Sequence, residues 1–464
     1  MAINEFTVSQ GARRAIEEMG YSIDASMDDA IARWHRWYTC SDDFYKVRYY
    51  DKDGRRHSRE RLSVHPARKV CREMASLMLT EDTKVSVEAP KANAWLQRYL
   101  DERNFWPTGQ TLVEKAFGLG TAAWALWYDL GDAPDVKLRR YDARMVKPLT
   151  FDEEGVAECA FVTRVSIKGE DAEQVQLHVL EEGTYRIKTM MFMRGRRLNP
   201  EAFGVVPDFD TRSPRKTFGV VKPALENVVS DLSPYGMSIF ADAVGAIQAV
   251  DLAFDSLFQE VDLTAVKVFM DEALIDVRTR DGKVVPVADS DQRTFRMVAG
   301  DGAGKLIDVF SPAIRTEPLR QALDVALAEL GEICGFGQQY FKLDRAGGLK
   351  TATEVVSDNS VLMRNVRKHE NMVRGAIQDV VGGLLDGARI HLGADVEEDF
   401  GPVSVAFDDS VIADTATEKA TMLSEIGAGV VPRWKYLATF YGMGEEEARA
   451  ALAEEAPPAM GLGI

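Results

Sequence analysis

The chain has little cysteine, and its cysteines are not arranged for a crosslink or a metal site. Only four occur among 464 residues, at Cys40, Cys71, Cys159 and Cys334, and no two of them form a C-x-x-C pair. Zinc frameworks and secreted disulfide scaffolds need closely spaced thiols, so neither class fits this spacing. We expect reduced, buried thiols in a cytosolic setting.

Motifs that carry catalysis or hold a cofactor are also missing. The six histidines form no H-x-H, H-x-x-x-H or H-E-x-x-H pattern, and no G-x-S-x-G motif occurs. GDGAGKL at residues 300–306 is similar to a phosphate-binding loop, but Ala299 replaces its first glycine and Leu306 replaces its magnesium-binding hydroxyl residue. We therefore predict no catalytic residue, no metal and no cofactor.

Positive charge and long apolar runs are both scarce. The formal net charge is −17, which disfavours a surface that binds nucleic acid throughout, because Lys and Arg release the counterions of DNA. The longest apolar helical stretch, residues 239–261, is interrupted by Asp242, Asp251 and Asp255 and is too polar to cross a bilayer. No apolar run follows the N-terminal basic residues, so we expect neither a signal peptide nor a membrane partner.

The period of the apolar residues divides the chain into segments. The first third is typical of helices, beginning with SMDDAIARWHRWYTC and reaching a glycine C-cap at Gly118 or Gly120, with one strand predicted at TKVSV between them. From Thr121 to about Lys188 the period changes to two, which predicts an antiparallel meander. Residues 189–232 have little periodicity and predict loops with short strands. Together these segments predict an α+β fold.

A small β-rich segment lies between two predicted helices. The first helix covers residues 238–262, and the second covers 313–336 with Thr316 as N-cap and Pro318 in its first turn. Residues 263–312 alternate as strands and contain an Arg-Asp-Gly-Lys turn. Each helix has an apolar face that another element or another copy of the chain must cover.

A basic loop follows the second helix. It contains Lys342, Arg345 and Lys350, and Gly347 and Gly348 give its backbone conformational freedom. A solvated surface loop and a weak contact with a polyanion both fit this composition. Three charges bind a polyanion weakly unless many copies of the loop surround it.

The loop leads into a third long helix. Thr351 and Glu354 match a T-x-x-E capping box, and apolar residues at steps of three, four or seven predict a helix over 352–392. Three short helices are predicted in the tail, at ATEKATMLSEIGAG, PRWKYLATFYG and GEEEARAALAEE.

The order of these segments resembles the portal proteins of tailed double-stranded DNA bacteriophages, of the siphophage type. The resemblance covers roughly residues 60–455. It is carried by the stretches ARKVCREMASLMLTEDTKVSV, FGLGTAAWALWYD, SPYGMSIFADAVGAIQAVDLAFDS, AIRTEPLRQALDVALAELGEICGF, GGLKTATEVVSDNS and GAGVVPRWKYLATFYGMGEEEARAALAEE.

This resemblance implies a non-enzymatic ring, usually of about twelve copies, at one vertex of the capsid. Double-stranded DNA would pass through its channel during packaging and ejection and be retained in between. The implied protein partners are terminase, head–tail adaptors, the major capsid protein and scaffolding protein. The implied location is the virion, after assembly in the host cytoplasm.

The resemblance also implies a division of the chain. Residues 1–237 and the long helix 352–392 would form the wing, 238–262 and 313–336 the stem helices, 263–312 the clip, 337–351 the tunnel loop region and 393–464 the crown. The implied tunnel-loop residues are Gln338, Gln339, Lys342, Arg345, Gly347, Gly348 and Lys350, with Thr351 and Glu354 as the helix cap. The implied clip-interface residues are Arg278, Arg280, Lys283, Arg293 and Arg296.

Two other functions compete with this interpretation. The first is a minor capsid or head-assembly protein without a channel, which would not form a closed ring. The second is a nucleotide-driven enzyme such as the packaging motor, which the incomplete phosphate-binding loop disfavours.

Overall fold

The computed structural model describes residues 8–50, 54–129, 131, 134–271, 277–280, 283–286, 294–297, 307–343, 352–407, 415–441 and 443–454. The helices within these ranges are α1 (Gln10–Glu18), α2 (Asp28–Tyr38), α3 (Pro66–Met78), α4 (Pro90–Glu102), α5 (Phe105–Leu119), α6 (Val244–Leu263), α7 (Thr316–Ile333), α8 (Ala352–Leu392), α9 (Thr415–Gly427), α10 (Arg433–Tyr441) and α11 (Glu445–Glu454). The strands are β1 (Lys46–Tyr50), β2 (Arg56–Glu60), β3 (Lys84–Ser86), β4 (Ala122–Asp129), β5 (Asp135–Asp142), β6 (Val146–Asp152), β7 (Gly155–Ile167), β8 (Glu170–Glu181), β9 (Thr184–Met193), β10 (Arg196–Leu198), β11 (Asp208–Asp210), β12 (Phe218–Val221), β13 (Lys267–Asp271), β14 (Val277–Arg280), β15 (Lys283–Pro286), β16 (Thr294–Met297), β17 (Ile307–Phe310) and β18 (Ser404–Ala406). This mixture of helices with antiparallel sheets confirms the predicted α+β class.

Helices α2 to α5 pack with α8 and β4 around the main hydrophobic core, in which Trp34, Met74 and Phe117 are buried. Helices α3 and α4 both begin with proline, which loses no hydrogen bond in a first turn. Helix α5 ends at Gly120, whose φ of 83° lies in the left-handed region that favours glycine. The predicted glycine C-cap is thereby confirmed.

The first third of the chain contains, besides its helices and the strand predicted at TKVSV, which is β3, a hairpin that the sequence did not predict. It contains the antiparallel hairpin β1–β2, which pairs Lys46 with Glu60 at one end and Tyr50 with Arg56 at the other. Apart from Val47 and Arg59, which are half-buried, the side chains of its strands are exposed, and most of them are charged or aromatic, so the chain there carries no apolar period of two. Helix α1, also not predicted, is capped by Ser9, whose hydroxyl accepts a hydrogen bond from the amide of Ala12.

The predicted meander is divided between two antiparallel sheets. Strands β6 to β10 pair in sequence order, and β11 adds to β9. Strands β4 and β5 belong to a second sheet, with the order β12-β4-β5. Strands β10, β11 and β12 lie in the segment predicted to hold loops and short strands.

Helix α8 has 41 residues and is about 61 Å long at 1.5 Å per residue. It begins at Ala352 and ends at Leu392, as predicted. Glycines let it lie directly on β12. A Cβ atom on Gly219 would overlap the carbonyl oxygen of Ala376, and one on Gly383 would overlap that of Lys216.

Helices α6 and α7 are both shorter than predicted. Before α6, the Ser238 hydroxyl and the Ile239 amide donate hydrogen bonds to the carbonyl of Phe117 at 3.1 and 3.0 Å, so these residues join the end of α5 instead of a helix. Helix α7 starts at Thr316, and its N-cap is Arg315 without a side-chain cap, so the prediction of Thr316 as N-cap was wrong by one residue.

The segment between α6 and α7 is β-rich, as predicted. Strand β13 pairs in parallel with β16 and antiparallel with β17, and β14 pairs with β15. Beyond α8, strand β18 pairs with the distant β3, and the three predicted tail helices are α9, α10 and α11.

Candidate functional site

Helices α6 and α7 form a helical hairpin that is closed by an ion pair where the β-rich segment leaves and returns. The guanidinium of Arg315 donates from Nε and Nη2 to the two carboxylate oxygens of Glu260, each at 2.9 Å. These hydrogen bonds lower the pKa of Glu260 and raise that of Arg315. The bidentate contact fixes the end of α6 against the start of α7.

Two buried carboxylates on α6 hold the N-terminal part of the chain. Asp251 accepts hydrogen bonds from the hydroxyls of Tyr45 and Ser63, both at 2.8 Å, and from the Val64 amide at 3.0 Å. Burial raises the pKa of Asp251 even though these three donors oppose the shift.

Asp255, one turn further on, binds the end of the hairpin β1–β2. It accepts two hydrogen bonds from Arg59, at 2.9 and 2.8 Å, one from the Leu62 amide at 3.1 Å and one from Gln259 at 2.6 Å. Asp251 and Asp255, two of the acidic residues that interrupt the apolar pattern, therefore serve as attachment points for residues 45–64.

The apolar face of α6 is covered only over its first half. Ile247 and Val250 are buried in the main core, whereas Phe258 and Val261 are exposed beyond Asp255. Helix α7 has apolar residues on two faces. Leu323 and Leu330 on one face are buried, whereas Val325 and Ile333 on another are exposed. We call Leu252, Phe258, Val261, Val325 and Ile333 the uncovered apolar residues.

The segment after α7 holds the described part of the predicted tunnel loop. The rings of Phe336, Tyr340 and Phe341 pack on one another with centroids 4.8–5.0 Å apart. Among the predicted site residues here, Gln338 and Gln339 are exposed and Lys342 is half-buried.

This segment is attached to three helices. Tyr340 donates a hydrogen bond to Glu73 of α3 at 3.1 Å, and Asn365 of α8 donates to the carbonyl of Gly335 at 2.9 Å. The Leu343 amide donates to Asp324 of α7 at 2.9 Å. Residues 335–343 therefore fix the position from which the basic loop departs.

Several predicted site residues lie outside the described residues, namely Arg345, Gly347, Gly348, Lys350, Thr351 and Arg293. Helix α8 begins one residue after Thr351, and Glu354 lies in its first turn. The clip candidates Arg278 and Arg280 lie in β14, Lys283 in β15 and Arg296 in β16. Arg280 pairs with Lys283 and Arg278 with Val285 in the β14–β15 ladder.

The loop at 342–350 is not the sole basic feature, although the sequence analysis singled it out. Between residues 46 and 62 the chain has seven Lys or Arg and three Asp or Glu. Counting charges in a sliding window would have found this segment. It was missed because the first third was interpreted as helical.

Other kinds of site find no support in the parts of the chain that the structure describes. No group of three or more His, Cys, Asp or Glu side chains there is placed to bind a metal ion. No helix in those parts is long and apolar enough to cross a membrane. The four cysteines are free thiols.

Comparisons with known proteins identify the family. The model of a family described as "Phage portal protein, SPP1 Gp6-like" matches residues 28–456. Among solved structures, the chain is similar to one from "Virion of native gene transfer agent (GTA) particle", with 11% identity, a TM-score of 0.45 and coverage of 94% of this chain and 99% of that one. It is also similar to one from "Neck of empty GTA particle computed with C6 symmetry", with 12% identity, a TM-score of 0.40 and coverage of 84% and 89%. No curated protein sequence matches significantly.

The family match extends over nearly the whole chain and confirms the resemblance inferred from the order of its segments. The family is structural and non-enzymatic, and its members are virion components. The chain therefore belongs to the phage portal protein family of the SPP1 Gp6-like type.

Proposed function

We propose that the chain forms a closed ring, of about twelve copies, at one vertex of a phage-like capsid. Double-stranded DNA enters through the channel of the ring, is retained there and leaves through it. The uncovered apolar residues of α6 and α7 carry this proposal. Burying each large apolar side chain contributes roughly 1.5–3 kcal/mol, and in a head-to-tail ring each copy buries such residues against the next.

The proposed division of the chain follows the elements around the helical hairpin. Residues 238–262 and 313–336, which contain α7 and all but the last residue of α6, are assigned to the stem, and residues 263–312 between them to the clip. Residues 1–237 and α8 are assigned to the wing, and residues 393–464 to the crown. The Glu260–Arg315 contact at the boundary of stem and clip supports this division, because it fixes the point where the chain enters and leaves the clip.

The tunnel loop is assigned to residues 337–351, with Gln338, Gln339, Lys342, Arg345 and Lys350 facing DNA. Its attachment to α3, α7 and α8 supports this role, since a loop that contacts moving DNA needs a fixed base. The net charge of −17 disfavours tight binding of DNA over most of the surface, while a few cations per copy steady it without a deep energy minimum.

The clip is proposed to bind terminase during packaging and head–tail adaptors afterwards. Arg278, Arg280, Lys283, Arg293 and Arg296 are the proposed cations for these contacts. The major capsid protein and scaffolding protein are the proposed partners of the wing during assembly in the host cytoplasm.

Ring formation can be tested with a matched pair of variants. Phe258 and Leu180 are almost equally exposed, at 48% and 47%, but only Phe258 lies on α6. In native mass spectrometry and electron microscopy, we expect the wild type and L180K to form closed rings and F258K to remain in small species with an unchanged Tm. Rings formed equally well by F258K would contradict the proposed role of α6. A wild type that never forms rings would favour a minor capsid protein without a channel.

The tunnel loop is tested separately by K342A/R345A/K350A. We expect this variant to form rings but to package or retain less DNA in an assembly reaction. Normal packaging and retention by the variant would remove the proposed role of the loop and leave ring formation unaffected.

A further inference from the structure

The hairpin β1–β2 concentrates positive charge in an acidic chain. Residues 46–62 contain seven of the 56 Lys and Arg residues but only three of the 73 Asp and Glu residues. The rest of the chain is therefore more negative than the total of −17, so it disfavours polyanions away from local basic segments such as the tunnel loop. A polyanion that approaches this protein meets an attractive surface at the hairpin.

The register of the hairpin separates its side chains into two sets. One face contains Val47, Tyr49, His57 and Arg59, and Arg59 on this face binds Asp255 of α6. The opposite face contains Lys46, Arg48, Tyr50, Arg56, Ser58 and Glu60, all of them exposed. We call this second set the basic face.

The cations of the basic face are available to a ligand. Lys46 and Arg48 lie 3.9 and 3.2 Å from Asp43, in ion pairs whose members are all at least 45% exposed. Such exposed pairs contribute little free energy, so a phosphate can replace the carboxylate. Arg56 makes no ion pair with an acidic side chain among the described residues, and it lies opposite Tyr50, which is 71% exposed.

The base of the hairpin is held firmly. Six hydrogen bonds of 2.8–3.1 Å attach it to α6. Five are donated by Arg59 of β2 and by Leu62, Ser63 and Val64 after it, and the sixth is donated by Tyr45 before β1. A ribbon fixed in this way presents its charges without first losing conformational entropy.

We infer that the basic face of β1–β2 is a second DNA-binding surface of this protein, separate from the tunnel loop and specific for phosphates of duplex DNA. Residues two apart on one strand are about 6.8 Å apart, so Lys46, Arg48 and Tyr50 can contact successive positions along a phosphate backbone. A two-stranded ribbon also fits the major groove of B-form DNA.

The main alternative is an acidic surface of a second copy of the chain. Such a partner would pair the cations, but it would leave the exposed ring of Tyr50 without a role. In protein–DNA complexes, tyrosine hydroxyls and arginine guanidinium groups both donate hydrogen bonds to phosphate and sugar oxygens, so Tyr50 and Arg56 can bind the same backbone. The basic face therefore favours DNA.

The choice of duplex DNA as the probe rests on the proposed portal function, but the binding experiment does not require a ring. The test variant is K46Q/R48Q/R56Q, which leaves Arg59 and its contacts with Asp255 intact. The control is R194Q/R196Q/R197Q, which removes the same charge from exposed residues of the turn and strand after β9. Both variants should keep the Tm of the wild type.

Binding is measured by fluorescence anisotropy with a 30-base-pair duplex between 0.05 and 0.3 M salt. Each phosphate contact contributes a slope of about 0.9 in log K against log salt, or about eightfold in affinity between 1 M and 0.1 M salt. We expect the test variant to lose about 500-fold in affinity at 0.1 M salt, with a slope smaller by about 2.7, and the control to lose less than about threefold.

Equal losses in the two variants would mean that net charge alone governs binding, and would overturn the inference. Unchanged DNA affinity with weaker self-association would assign the basic face to a second copy and also overturn it. The mass of the same samples tests the ring proposal separately. A wild type that forms no ring but binds DNA through the hairpin would contradict ring formation and support this inference.

Discussion

The ion pair between Arg59 and Asp255 should respond unequally to the loss of its two members. The carboxylate of Asp255 is 3% exposed and accepts four hydrogen bonds, two of them from Arg59. The Arg59 side chain is 35% exposed and can reach water when its partner is removed. The change that leaves the buried carboxylate uncompensated is therefore the more costly one.

The expected costs follow from these exposures. Removing one member of a buried pair costs roughly 3–5 kcal/mol, and the partial exposure of this pair places R59Q near the lower limit, at about 3 kcal/mol. D255N loses the charge but keeps an acceptor for the Leu62 amide. It should therefore lower the free energy of unfolding only by the contribution of charge-assisted hydrogen bonds, about 1.5 kcal/mol. The double variant should cost less than the sum of the two, with a coupling of about 1 kcal/mol or more.

The measurement is hydrogen exchange of the amides of β1 and β2, which reports the free energy of local opening, together with urea unfolding of the whole chain. R48Q is the control, because Arg48 belongs to an exposed pair and should cost less than about 0.5 kcal/mol. If R59Q cost no more than R48Q, or if R59Q and D255N were additive, the hairpin would not be held on α6 through this pair.

Three further predictions concern packing, pH and thiol reactivity. In urea unfolding, G219A should lower the free energy of unfolding by about 3 kcal/mol, because its Cβ would overlap the Ala376 carbonyl. G375A has open space around the new Cβ and should raise that free energy by about 0.5–1 kcal/mol. Similar effects of the two substitutions would contradict the close packing of α8 on β12. Burial lowers the pKa of His369 from 6.5 to about 4, so on acidification the unfolded chain binds this proton first. Between pH 6.5 and 4 the wild type should therefore lose about 3 kcal/mol more stability than H369N, and a pH-independent difference would refute this. In the folded chain a disulfide reagent should modify only Cys40, and slowly, because the other three thiols are buried. After unfolding it should modify all four cysteines. Rapid modification of more than one cysteine in the folded chain would contradict the described burial.

The sequence predicted those elements that an apolar period and clear end signals specify together. Helix α8 has a regular apolar stripe and was predicted with its observed ends. Helix α6 was predicted to start too early, because Ile239 and Phe240 continue the apolar pattern while the Ser238 hydroxyl and the Ile239 amide donate hydrogen bonds to the Phe117 carbonyl at the end of α5. That contact is tertiary and leaves no local signal in the sequence.

The candidate site was predictable to a smaller extent. The position of the loop after α7 followed from its glycines and charges, but the attachments of its base to Glu73, Asp324 and Asn365 come from three helices that are far apart in the chain. The hairpin β1–β2 was missed for another reason. Both of its strands are exposed apart from their ends on α6, so hydrophobic periodicity, on which the element assignment relied, does not apply there.

The acidic residues of α6 connect these results. Asp251 and Asp255 interrupt an apolar stretch, and for that reason the sequence excluded a membrane span. In the folded chain the same carboxylates bind Tyr45, Arg59 and the backbone after β2, so the polar interruption of the helix is where the basic hairpin is attached. Beyond Asp255, Glu260 binds Arg315, the N-cap of α7, and Phe258 and Val261 remain exposed. One helix thus supplies both a fixed site for a surface that we expect to bind DNA and an apolar surface that we expect to bind the next copy, and because different residues serve the two purposes, substitutions can remove either one alone.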